Sequence, residues 1–332
     1  MFSLADCNDG SCGYKLQKAK AKYMKQKMFC LYLRLSHHMG KDCGISPDTF
    51  MCEQKVWQEV TEFAAESGCN SVLIDVCDGL KYQRRPEISL PDAWSREALK
   101  NELARMRSLG LTPYPKVNFS TCHDPWLGMY NRMVSTPVYY EVCRDIIHEL
   151  YEVFDAPEYI HLGMDEETWL NQYQNQFVSY RQFDLYWHDM KFLLDTVKEA
   201  GAKPWIWADS YWNDPEAFCK TVPKDTLVSP WYYQVFYDNY PFQKKPMGEG
   251  PERERASYKT LPENGYDIIP GASNYENQSN VGETLRFMQE NCLPEHNRGL
   301  LLTPWTLNRE SGKYHIMDCI QQGKDAVEKY GL

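Results

Sequence analysis

The sequence predicts a single-domain α/β fold, a (β/α)8 TIM barrel, from three observations. Eight short apolar or β-branched runs are spread along the chain, segments of helical periodicity separate them, and 332 residues suit one barrel with a large core. Parallel strands need crossover connections, so strand and helix must alternate. Alternation also fits an open doubly wound sheet; the count of eight favours closure.

The runs fall at 28–35, 71–76, 112–118, 159–163, 204–208, 227–231, 267–270 and 300–304. Helical spacing appears in Val56, Val60, Phe63 and Ala64 before a stop at Gly68, and in Leu99, Leu103 and Met106 before Gly110. It recurs in Val142, Ile146 and Leu150, where Thr136 followed by Pro137 reads as an N-cap with proline in the first turn. The longest helix is expected over 177–200, closed by Gly201; Leu285 with Met288, and Cys319 with Ile320 and Val327, mark two weaker ones. Residues 1–26 are polar, Lys-rich and aperiodic, an N-terminal extension that leaves 27–332 for the barrel.

Composition excludes several function classes. A net charge of −10 argues against nucleic acid or an anionic membrane as partner, because both require clustered Lys and Arg. No apolar run approaches the length of a membrane span. Twelve cysteines scattered through strands and helices, behind a start without a secretory pattern, suggest a reducing, cytoplasmic setting. Cys7 and Cys12 lack a second pair at zinc spacing, so no metal and no cofactor are expected. The aromatic content of 14%, with 10 Trp and 23 Tyr, suits either a large core or a site that stacks sugar rings.

In a barrel of this type, catalytic groups sit at the C-terminal strand ends. Those ends collect His37 and His38, Asp75 and Asp78, Asn118 with His123 and Asp124, then Asp165-Glu166-Glu167, Trp207 and Asp209, Trp231 and Tyr232, Asn274-Tyr275-Glu276, and Trp305. The three consecutive acids carry the most information. Two neighbouring carboxylates can divide labour, one ionised and one, in a drier spot, protonated; alternatively the run merely caps a loop. Adjacent strand residues face opposite ways, so both acids share a pocket only if the strand ends between or before them.

The run His161-Leu162-Gly163-Met164-Asp165-Glu166 resembles the His-x-Gly-Gly-Asp-Glu that ends the fourth strand in glycoside hydrolase family 20, the β-N-acetylhexosaminidases and their relatives. Trp207, Trp231, Ala272-Ser273-Asn274-Tyr275-Glu276-Asn277 and Trp305 then match that family's strands five to eight in order, a resemblance covering roughly 27–330. It implies an exo-acting hydrolase that retains configuration by substrate-assisted catalysis, an exception to the two-carboxylate scheme. By this resemblance Glu166 is the acid and base, Asp165 orients the 2-acetamido group, Tyr275 hydrogen-bonds its oxygen, and Trp207, Trp231 and Trp305 wall the pocket. The implied partner is an N-acetylhexosaminide, with the oligomeric state open.

The pattern also departs from the family's. The sugar-gripping Arg of strand one is either Arg34 out of register or is replaced by His37, and Trp305-Thr306-Leu307-Asn308 lacks the carboxylate of Trp-x-Glu. His123 either lines the pocket or stabilises its loop. Asp75 and Asp78 either meet a hydroxyl or cap a loop, and Asp209 either contacts sugar or binds loop amides. His161, Tyr232 and Tyr233 read as packing residues, and Glu167 as a bystander. Two alternatives stand beside the hydrolase: a sugar-binding barrel without turnover, and a two-carboxylate glycosidase acting on a sugar without an acetamido group, using Asp209 or Glu276.

Overall fold

The computed structural model describes residues 27–36, 49–173, 177–234, 236 and 249–332. Eight parallel strands are ordered β6-β5-β4-β3-β2-β1-β8-β7: β1 Met28–Arg34, β2 Ser71–Asp75, β3 Thr112–Lys116, β4 Tyr159–His161, β5 Lys203–Trp207, β6 Leu227–Ser229, β7 Gly271–Ala272 and β8 Gly299–Leu302. The ring closes where Val228 bridges Ile268 and Trp231 bridges Gly271. This is the (β/α)8 barrel that the sequence predicts. The extension, with Cys7 and Cys12, lies outside the described residues, as do His37 and His38.

Period-two alternation sorts the strands. Phe29, Leu31 and Leu33 of β1 pack outward with Val72, Ile74, Ile160 and Ile206 against the helices, while Cys30, Tyr32, Leu73, Tyr114, Tyr159, Trp205 and Trp207 fill the interior. Continuing the same alternation brings Arg34, Asp75, Lys116 and His161 inward at the C-terminal ends. The barrel's upper interior layer is therefore polar and aromatic. Lys116 and Tyr32 both donate to Asp75, at 2.6 Å each, which neutralises a buried charge directly beneath the mouth.

The helices that matter here are α1 Gln54–Glu66, α2 Arg96–Ser108, α3 Pro137–Val153 and α4 Phe183–Ala200. Thr136 caps α3 by accepting from the Tyr139 amide, and Gly201 ends α4 at φ 106, where a Cβ would lie 2.7 Å from the Tyr151 hydroxyl. Two boundaries differ from expectation. The seventh strand pairs on both sides at Ile268 and runs on to Gly271–Ala272 beyond the expected 267–270, with Pro270, which has no amide proton to donate, interrupting the regular ladder between them. Helix α4 starts at Phe183 instead of 177, because the preceding residues are drawn into a loop that holds the acid run.

The nine described cysteines are free thiols, eight of them buried. No helix among the described residues is long and apolar enough to cross a membrane.

Candidate active site

Strand β4 stops at His161, four residues before Asp165, so strand alternation no longer governs the acids. The chain turns through left-handed backbone at Gly163 (φ 73), Met164 (φ 68) and Glu166 (φ 54), a costly conformation for the two residues that carry a Cβ. At Gly163 only glycine fits, since a Cβ would lie 2.0 Å from Asn118 Oδ1. Met164 takes the place of the family pattern's second glycine and buries its side chain in the core.

Surrounding bonds over-determine this turn. Asn118 Oδ1 accepts from the Met164 amide at 3.3 Å, Asp209 Oδ1 accepts from the Glu166 amide at 3.1 Å, and the Ser120 hydroxyl donates to the Asp165 carbonyl. The Glu166 carbonyl accepts from the Thr168 amide at 2.7 Å and from Asn171 Nδ2 at 2.9 Å. Both carboxylates consequently reach one histidine: His123 Nε2 lies 3.4 Å from Asp165 Oδ2 and 3.2 Å from Glu166 Oε2.

The two acids sit in unequal surroundings. Asp165 is buried and accepts from Asn118 Nδ2 at 2.8 Å, whereas the Glu166 side chain is 40% exposed. Glu166, the acid that the resemblance makes the proton donor, was expected in the drier position; the structure instead buries Asp165 and leaves Glu166 the more open of the two. Burial alone would raise the Asp165 pKa; the charge and hydrogen bond of His123, with Lys116 and Asn118, instead hold it below the ordinary carboxylate range. Burial alone would lower His123, but the two carboxylates raise it well above its usual value.

The sign for stability follows from linkage. Asp165 stabilises the fold above the unfolded carboxylate value of about 3.9, and the contribution is lost as pH falls through its lowered native pKa; His123 stabilises below about 6.5 and the contribution is lost as pH rises through its raised pKa. His123→Gln should therefore cost most stability between about pH 4 and 6.5, with the deficit closing toward alkaline pH. Thermal unfolding of both proteins across that range measures it, and a deficit that grows at alkaline pH would contradict it.

The predicted aromatic wall forms in part. Trp207 and Trp305 have ring centroids 5.9 Å apart, Tyr32 lies 4.9 Å from Trp305, and Trp231 donates its indole N–H to Asp209 Oδ2 at 3.0 Å. The Trp207 indole N–H is buried without an acceptor among the described residues. Arg34 is buried with its guanidinium 5.8 Å from the Trp305 ring, beside the wall. Asp209, its two oxygens engaged by the Glu166 amide and by Trp231, anchors both; burial, followed by the charges of Asp165 and Glu166, raises its pKa.

Tyr275 stands 63% exposed, with no ring partner among the described residues. Tyr233 occupies the wall, stacked on Trp231 at 5.0 Å, 6.2 Å from Trp305, and accepting from Thr303 Oγ1 at 3.3 Å. Sequence reading assigned it to packing, although the Trp231-Tyr232-Tyr233 run at a strand end was the available signal. Tyr232 is buried in the core as expected, and so is His161, which burial followed by Lys116 keeps neutral and whose Nδ1 accepts from the Gly163 amide.

Glu167, expected to point away from the other two acids, has a structural partner instead. It turns away from the pocket and pairs with buried Arg181, which also donates to the Phe119 carbonyl and lies 3.4 Å from Asp189 Oδ2. Asp75 serves Lys116 and Tyr32 rather than a loop amide. The donor atoms of His123, Asp165 and Glu166 lie within 4.8 Å of one another, a spacing that would also admit a cation.

No family model and no curated protein matches the chain. Solved structures do. A β-N-acetylhexosaminidase from Bacteroides fragilis NCTC 9343 aligns with a TM-score of 0.61 at 14% identity, covering 89% of this chain and 65% of that one. A GH20 exo β-N-acetylglucosaminidase from Vibrio harveyi, in complex with N-acetylglucosamine, aligns at 0.56 and 12%, covering 89% and 54%. The pneumococcal virulence factor StrH aligns at 0.57 and 12%, covering 93% and 86%. The chain thus has the fold of these GH20 catalytic barrels and spans little more than half to two-thirds of the first two chains.

Proposed function

We propose that this barrel is a glycoside hydrolase of the β-N-acetylhexosaminidase type, exo-acting and retaining, in which the substrate's own 2-acetamido oxygen attacks the anomeric carbon. The observation that carries the reading is the division between two adjacent carboxylates at the end of β4. Asp165 is buried, kept ionised and oriented by Asn118 and His123; Glu166 is open, and both share His123. A buried, fixed anion suits the task of receiving the acetamido N–H and balancing the positive charge of the oxazolinium-like intermediate. An open carboxyl suits proton delivery to the leaving oxygen and proton removal from the incoming water. A bound sugar among Trp207, Trp231 and Trp305 would displace water from Glu166 and offer an acceptor to the Trp207 indole.

The test is turnover of aryl N-acetyl-β-glucosaminide and galactosaminide, together with binding of an acetamido-thiazoline mimic of the intermediate. Cleavage of either glycoside with thiazoline inhibition is the expected result. The absence of both cleavage and thiazoline binding overturns it. A sugar-binding barrel without turnover is the second reading, favoured by the exposure of Tyr275 and by Asn308, whose Nδ2 donates to the Arg34 carbonyl. Sugar-dependent thermal stabilisation with no product would support that one. The two-carboxylate alternative is disfavoured, because Asp209 has both oxygens engaged and Glu276 accepts from Gln234 at 2.6 Å on the exposed surface.

A further inference from the structure

The apolar side chains that the fold leaves uncovered gather on one side of the mouth. Among the described residues, twelve large hydrophobic side chains are exposed, and eight of them lie between 129 and 185, in the loop after β3, the loop after β4 and the first turns of α3 and α4. Those segments form one face. The Arg132 guanidinium lies 4.7 Å from the Phe177 ring centroid, joining the two loops, while Tyr140 of α3 and Ser135 just before it both donate to Asp189 of α4. Gln172 and Arg181 turn inward to Thr121 and Glu167, which leaves Trp169, Leu170, Tyr173, Val178 and Phe183 outermost. Trp169 is 54% exposed, Tyr173 57% and Phe183 83%. At about 150–250 Å² per aromatic side chain, these three present roughly 300–500 Å², already the size of the largest apolar patch on an ordinary monomer.

We propose that this face is the interface of a two-fold dimer, its occupant being the same face of a second copy of this chain. Two observations select that occupant. The first is extent: with Met129, Leu170 and Val178 added to the three rings, the face approaches the roughly 800 Å² per partner that a stable complex buries, far more than a small ligand covers. The second is charge. The chain carries a net charge of −10, so two copies repel unless they meet where charge is sparse. Residues 168–183 contain a single charged side chain, Arg181, and it is buried. The flanking segments add one exposed cation, Arg132, and one exposed anion, Asp184. A two-fold axis sets the same patch against itself, so each of these can meet its opposite on the other copy. Aromatic rings and methionine with few charges are also the composition of an interface core, and a strongly basic or acidic partner would find no complementary field there. Thr168 and Asn171 of the same loop are bonded to the Glu166 carbonyl, so association covers the segment that fixes the acid's turn.

The experiment is sedimentation velocity of the full chain from nanomolar to high-micromolar concentration, in wild type, Phe183→Glu, Leu170→Glu and Tyr314→Glu. The wild type should pass reversibly from monomer to dimer. Phe183→Glu and Leu170→Glu should each weaken the dimer roughly tenfold or more, because a charge then enters the centre of the contact. Tyr314 is 75% exposed on the helix Glu310–Tyr330, outside the face, and Tyr314→Glu should leave the dissociation constant unchanged. Circular dichroism checks the fold of each variant, and Leu170→Glu decides if Phe183→Glu misfolds. A wild type that stays monomeric throughout overturns the proposal, as does a dimer indifferent to both substitutions on the face or equally weakened by Tyr314→Glu. A monomeric wild type that co-sediments with phosphatidylcholine vesicles, and no longer does so in Phe183→Glu, overturns it too and assigns the face to a lipid.

Discussion

Glu166→Gln is expected to lower kcat on an N-acetylhexosaminide by about 10² to 10⁴-fold, the usual worth of a positioned acid and base, while the protein keeps its fold. The amide is isosteric and the side chain is 40% exposed, so thermal stability should change little. Its kinetic signature is dependence on the leaving group. Aryl glycosides whose phenol leaves without protonation should retain most of their glycosylation rate, whereas disaccharides should lose nearly all activity. A variant within a few-fold of wild type on disaccharide would remove Glu166 from the mechanism. Asp165→Asn should fail differently, with activity lost on both classes, because the anion facing the acetamido group is needed whatever leaves.

Arg181→Met carries the largest expected cost to stability. It strands Glu167 and Asp189 in the interior without their cation, and breaking one side of a buried pair typically costs about 3–5 kcal/mol. Asp189 keeps donors from Ser135 and Tyr140, so the residual strain concentrates on Glu167. Arg181→Met with Glu167→Gln should recover part of the loss, because the stranded charge is then gone. Denaturant unfolding of the single and double variants measures this. A single-variant loss below about 1 kcal/mol would contradict the assignment of the pair as the anchor of the acid run.

The barrel was legible because its two periodicities are intrinsic to short segments. Alternation along 28–35 and 204–208 already separates Tyr32 and Trp207 from Leu33 and Ile206, and Gly201 marks a helix end that only a left-handed residue closes well. What escaped sequence reading lies where one segment reaches over another. Left-handed backbone at Met164 and Glu166 is invisible in residue types that normally avoid it, so the reversed burial of the two acids could not be foreseen. Arg181 is fourteen residues from Glu167, and nothing in that spacing announces a pair. Tyr275 and Tyr233 show the same limit: both follow strand ends, and only the packing on Trp231 and Trp305 places Tyr233 in the wall.

The most direct test of the account is a crystal structure with the N-acetylhexosamine thiazoline bound. The thiazoline nitrogen is expected within about 3 Å of an Asp165 carboxylate oxygen, the sugar ring among Trp207, Trp231 and Trp305, and Glu166 facing the position from which the leaving group departs. A thiazoline seated elsewhere, or one whose nitrogen meets no carboxylate while Asp165 stays bound only to Asn118 and His123, would contradict it.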